Sequence, residues 1–171
     1  MTFVKNNYNF AKKQLFPICR SITGNGIKKS LILIKKKFPM LKIKKIKSKE
    51  KIFDWNVPPE WNVKDASIID ENGIKIVDFK MNNLHLVSFS TRVKKVILKK
   101  ELLEHLHYRK DLPDAIPYIT SYYKKYWGFC ISYNQYKKIN KKYNNKSKFI
   151  INIDTKFNNN GSLKYGELVL Q

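Results

Sequence analysis

Residues able to do chemistry are scattered thinly along this chain, and their densest group is LFPICRSITGNG, Leu15 to Gly26, where Cys19, Arg20, Ser21 and Thr23 precede two glycines. A serine or cysteine becomes a nucleophile only beside a base that takes its proton. No G-x-S-x-G elbow surrounds Ser21, and no His lies near it or Cys19 in sequence. The GNG run is no Walker loop and lacks the third glycine of a dinucleotide fingerprint, so it reads as a turn before a phosphate cradle. Arg20 is one of only three arginines, with Arg92 and Arg109, among 35 basic residues. Its planar fork can grip a carboxylate at two points where lysine cannot; a helix cap and a structural ion pair are equally ordinary uses.

Metal binding is suggested by His105 and His107 in EHLH, with Glu104 beside them. On a helix, positions i and i+2 point about 200° apart and cannot share an ion. A helix end, where His complements the C-terminal dipole, suits them better. His85, inside the strand-like run NLHLVSFS, reads as a structural imidazole. Cys19 and Cys130 match neither a metal-ligand spacing nor a disulfide framework, and fit a reducing cytoplasm. TSYYKKYWGF interleaves aromatics with Lys like a surface for stacking single strands, although such aromatics also fill cores.

These residues must be positioned by elements that the pattern predicts. Residues 7–15 and 26–37 read as helices with TGNG as the break between them. In the second, Ile27, Leu31 and Ile34 recur at helical spacing among lysines, and Pro39 ends it. LKIKKIK alternates like a half-buried strand with a lysine face. After Pro58 and Pro59, which forbid helix, the ENG turn joins ASIID to IKIVDF as a hairpin, and NLHLVSFS supplies a third strand. LKKELLEHLH predicts a helix with Leu98, Leu102, Leu103 and Leu106 as its buried stripe, and WGFCISYNQYKKI a short strand entering a helix. KFIINIDTKFNNNGSLKYGELVL predicts a hairpin turning on NNNG. The fold class is therefore α+β: N-terminal helices, a central, predominantly antiparallel β module and a C-terminal β-hairpin.

Composition sets the bounds. One ordinary domain, or a small one plus part of another, fits 171 residues, and 43% hydrophobic content with ten Tyr, ten Phe and three Trp excludes disorder as the default. The net charge of +22 invites a nucleic-acid or anionic-membrane partner, and residues 1–49 hold thirteen Lys and Arg20 with no acid. Yet the excess is almost all Lys, with abundant Asn and Ile, as an AT-rich coding sequence produces on any solvated face. That bland reading is preferred to nucleic acid. No run approaches the roughly 18 apolar residues of a spanning helix, and MTFVKNNYNFAKKQLF is no secretory signal, so no membrane partner is expected.

Read in order, LFPICRSITGNGIKKSL, IFDWNVPPEWNVKDASIIDENGIKIVDFKMNNLHLVSFS, ELLEHLH, IPYITSYYKKYWGFCISYNQY and LKYGELVL resemble the bacterial aminopeptidase-like proteins. These are relatives of two-zinc aminopeptidases that often accompany surface-polysaccharide biosynthesis genes. The resemblance runs from about Leu15 to Leu170. It implies an α/β zinc-peptidase domain interrupted by a β-rich insertion of unknown function: residues 50–140 as the insertion, 1–49 as the N-terminal helical part of the peptidase-like domain, and 141–171 as its incomplete first hairpin. It further implies zinc in the full-length family, a metal-activated hydroxide attacking a peptide or amide carbonyl, and ligands lying beyond the strand that matches YGELVL. None of those ligands maps onto this sequence. The expectation is an N-terminal fragment with no catalytic residue, metal or cofactor of its own, inactive alone and partnered by the remainder of the domain, with Arg20, Ser21 and Thr23 near the substrate end. Two other readings stay open: a sugar- or protein-binding β module using Trp55, Trp61 and Trp127 as platforms, and nonspecific nucleic-acid binding through the lysines. Substrate and oligomeric state are undetermined by the sequence.

Overall fold

The structure is a computed structural model that describes residues 2–169. Its chain divides into two compact units, Met1–Asn62 with Phe157–Gln171, and Val63–Lys156. The class is α+β.

In the first unit, helix α1 (Thr2–Phe10) continues into a π-helical turn (Ala11–Leu15), so the first helix begins earlier than the sequence predicts and ends in a widened turn. No residue from 3 to 20 is buried. Helix α2 (Asn25–Lys37) buries Ser30 and Leu31. Gly24 sets its start with φ of 93°, and a Cβ there would lie 2.0 Å from the Trp61 carbonyl oxygen. Strand β1 (Lys42–Lys47) follows, with Leu41 buried just before it and Ile43 left exposed. A small pair, β2 (Lys51–Ile52) and β3 (Trp55–Asn56), comes next.

The second unit is organised by β4 (Glu60–Asp70), β5 (Lys75–Asp78), β6 (Val93–Leu98) and β9 (Lys148–Asn158), in the order β5-β4-β9-β6. The hairpin β4–β5 forms as the ENG turn predicts, with a bulge between Ile68 and Ile69. Alternation in β9 puts Phe149, Ile151 and Ile153 in the core, where Ala66, Ile68, Val77 and Ile97 are also buried. Between β6 and β9 lie α3 (Lys99–Glu104), β7 (Leu106–His107), β8 (Phe129–Cys130) and α4 (Tyr133–Lys142). Ser132 and Gln135 close a capping box on α4. The buried Lys99 ammonium finishes it, donating to the carbonyls of Asn140 at 2.8 Å and Tyr143 at 2.7 Å.

Three local expectations change. NLHLVSFS forms a 3-10 turn (Asn83–His85) and isolated bridges rather than a strand. Its amides are claimed by loops: Val87 N–H donates to Gly128 and Ser88 N–H to Ile119. The helix over LKKELLEHLH stops at Glu104, because the carbonyls of His105 and His107 accept the N–H groups of Phe129 and Ile131, making β7 a parallel partner of β8. Finally, the NNNG turn forms, but β10 (Ser162–Glu167) pairs antiparallel with β1, not with β9. Gly161 abuts Glu60, whose carboxylate accepts from Ser162 N–H at 3.3 Å and Lys164 Nζ at 3.2 Å, and these bonds draw the strand towards β1.

Candidate functional site

The turn between the first two helices gathers Arg20, Ser21 and Thr23, but their polar atoms have different tasks. Thr23 is 1% exposed; its hydroxyl donates to the Pro59 carbonyl at 3.1 Å and accepts Trp61 N–H at 3.1 Å. The buried Ser21 hydroxyl donates to the Thr23 carbonyl at 2.7 Å. Asn62 caps the neighbouring Asn25 N–H at 2.7 Å. Gly26 is required by close approach, since a Cβ there would stand 1.8 Å from the Cys19 carbonyl oxygen. Arg20 alone is exposed, its guanidinium donating to the Leu15 carbonyl. The turn thus presents one cation on a hydrogen-bonded base.

Neither thiol is primed for attack. Burial pushes Cys19 up to about 11 against the opposing influence of Arg20, and Cys130 up to about 12. A thiolate is the reactive form, so both stay inert at neutral pH. Ser21 has no imidazole among its hydrogen-bond partners.

The three imidazoles are held apart by separate bonds. His105 Nδ1 lies 2.8 Å from the Trp127 carbonyl and its ring stacks on that indole at 3.6 Å. His107 Nε2 meets the Tyr126 hydroxyl at 2.8 Å. His85 Nδ1 meets the Cys130 carbonyl at 2.8 Å. Burial lowers the pKa of His85, and burial followed by the neighbouring His105 lowers that of His107. Among the described residues no group of three or more His, Cys, Asp or Glu could hold a metal ion. The described residues therefore bring together no donor set that fits a zinc centre.

As platforms, the tryptophans are compromised. Trp61 is 3% exposed and belongs to a core, while Trp55 and Trp127 are half-buried, the latter under His105 with Lys95 Nζ 5.1 Å from its ring. Tyr118 and Tyr123 are more exposed than any of the three, Tyr123 inside the stretch whose aromatic and lysine alternation the sequence shows but whose orientation it does not. The buried carboxylate Asp70 and the buried ammonium of Lys99 also escaped sequence reasoning, since neither sits in a motif. No helix among the described residues is long and apolar enough to cross a membrane.

Comparison with known proteins adds what the geometry lacks. Residues 60–156 match a family model described as "Domain of unknown function (DUF2172)". A curated protein of Clostridium acetobutylicum named "Putative polysaccharide biosynthesis protein with aminopeptidase-like domain" is 44% identical over 164 residues, which are 96% of this chain and 36% of that protein. A crystal structure of a "putative peptidase" from the same organism superposes with a TM-score of 0.86 at 43% identity, over 96% of this chain and 37% of the other. The chain therefore spans little more than a third of the length of either relative.

Proposed function

Because this chain belongs to the DUF2172 family, we propose that it forms the leading portion of an aminopeptidase-like hydrolase and does not hydrolyse peptides alone. The observation that carries this reading is the alignment of 96% of the chain, at 44% identity, with only 36% of a protein named for its aminopeptidase-like domain. Zinc ligation, and the base that works with it, then fall to polypeptide corresponding to the rest of the relatives. The β-rich part of the chain then acts as the insertion, and its flanks as pieces of the peptidase-like domain.

Within this reading Arg20 is the substrate-side residue, gripping a carboxylate of a peptide or amide substrate at two points. Ser21 and Thr23 serve the same end by holding the turn that presents it. A cytoplasmic setting suits the two unpaired thiols.

The test is metal analysis of the purified chain alongside an aminopeptidase assay with a chromogenic amino-acid amide. Little bound zinc and no turnover are expected. Stoichiometric, tightly held zinc with hydrolysis would overturn the proposal.

A further inference from the structure

Residues 108–128 join β7 to β8 as an irregular connection carrying one isolated bridge, Ser88 to Thr120. Structureless connections this long are uncommon in compact domains and usually serve function. This one is anchored. Ser88 N–H donates to Ile119 at 2.8 Å, Ser121 N–H to Ser88 at 2.9 Å and Thr91 N–H to Tyr126 at 2.8 Å. Beneath it lies buried Phe89, in the left-handed region with φ of 66°, edge-on to Tyr122 at 5.8 Å. A bulky residue in that conformation persists only where its surroundings hold it.

On this base the aromatic rings face water. Tyr123 is 78% and Tyr118 59% exposed. Tyr122 and Tyr123 stand 4.2 Å apart with their rings tilted by 44° and their hydroxyls 3.2 Å from each other. Lys124 and Lys125 follow in the chain and are exposed, Lys124 Nζ lying 5.6 Å from the centroid of the Tyr126 ring. Within the connection Arg109, Lys110, Lys124 and Lys125 outnumber Asp111 and Asp114, and from Ala115 to Ile153 the chain has eight lysines and no acid, so the charge favours an anion. A shelf of tyrosine faces on an anchored backbone, with hydroxyls and cations nearby, suits a ligand with apolar ring faces, many hydroxyls and negative charge. The 4.2 Å gap between the paired rings leaves no room for a ligand ring between them, so a bound ring rests on their outer faces.

We propose that Tyr118, Tyr122 and Tyr123, with Lys124 and Lys125, bind an acidic polysaccharide, sugar rings resting on the tyrosines and carboxylates meeting the lysines. The shelf is independent of the peptidase reading, since its test measures binding rather than turnover.

Isothermal titration of the full chain, at about 0.15 M salt where surface charge is largely screened, compares an alginate hexasaccharide, neutral maltohexaose and a thymidine hexanucleotide. Alginate should bind at least about tenfold more tightly than either competitor, a difference of roughly 1.4 kcal/mol. The Tyr118→Ala/Tyr123→Ala double variant should lose at least that factor, while Lys137→Gln/Lys138→Gln on α4 leaves binding unchanged. If the tyrosine variant fails to fold, Lys124→Gln/Lys125→Gln reads the same site. Thymidine binding as tight as alginate, no alginate binding, or undiminished alginate affinity in a folded shelf variant would each overturn the proposal.

Discussion

The hydroxyl of Tyr143 donates to Asp70 Oδ2 at 2.8 Å, tying the end of α4 to the turn of the β4–β5 hairpin. The other carboxylate oxygen accepts N–H groups from Asn72 at 3.0 Å and Ile74 at 2.8 Å, and Lys142 Nζ lies 3.6 Å from Oδ2. Burial by itself would raise the Asp70 pKa; the bonds from Ile74, Tyr143 and Asn72, with the Lys142 charge, outweigh it and hold the carboxyl below the usual range. Tyr143→Phe should lower the melting temperature by about 2–4 °C, one lost hydrogen bond in a chain of this size. Asp70→Ala should lower it further, because it frees several donors together. Calorimetry of both variants and the double variant checks this, and additive effects would show that the pair does not act as a unit.

Stability should fall on mild acidification. His85 and His107 have folded pKa values below their ordinary ones, so in the window beneath about 6.5 the unfolded chain binds the protons. Their contribution is complete above that pH and is lost as the pH drops towards the folded values. The depressed carboxyls of Asp70 and Asp78 act in the same direction at lower pH, their contribution disappearing as pH falls through their folded values. Urea midpoints should be flat from pH 8 to 7 and decline below about 6.5. His85→Asn should flatten the first decline without removing the second.

Two glycines with positive φ should respond differently to alanine. Gly73, φ 79°, has no heavy atom within 4 Å of a would-be Cβ, so Gly73→Ala should cost only the left-handed backbone, about 1–2 kcal/mol. Gly24, φ 93°, would drive its Cβ to 2.0 Å from the Trp61 oxygen. Gly24→Ala should cost at least twice as much, about 3 kcal/mol or more, by displacing the start of α2. Chemical denaturation of the two variants makes the comparison.

Both thiols should resist modification in the folded chain. With Cys19 near 11 and Cys130 near 12, the thiolate fraction at pH 8 is smaller by roughly two orders of magnitude or more than that of a free cysteine. Disulfide-exchange reagents should therefore label the native protein roughly a hundredfold more slowly than the same chain in denaturant. Rapid labelling of either thiol in the native state would contradict the burial assigned to it.

Much of the local structure was legible. The spacing of Ile27, Leu31 and Ile34 and the punctuation around them define α2; the ENG turn defines the β4–β5 hairpin; the alternation of Phe149, Ile151 and Ile153 defines the inward face of β9. These signals are carried by neighbours along the chain. The run NLHLVSFS shows where such signals fail, because alternation reports which side chains are buried and says nothing of which carbonyl an amide will find.

The sequence alone determined the lysine-dominated charge, the α+β character, the glycine turn after Arg20 and the family resemblance that the comparisons support. Tertiary structure alone decided that Ser21 and Thr23 have engaged hydroxyls, that β10 pairs with β1, that the imidazoles are each bound to a different group, and that Tyr118 and Tyr123 face water. The physical reason is the same in each case. Thr23 finds Pro59 and Trp61, and Tyr143 finds Asp70, across dozens of residues, and a hydrogen-bonding group's partner is set by what the folded chain brings beside it.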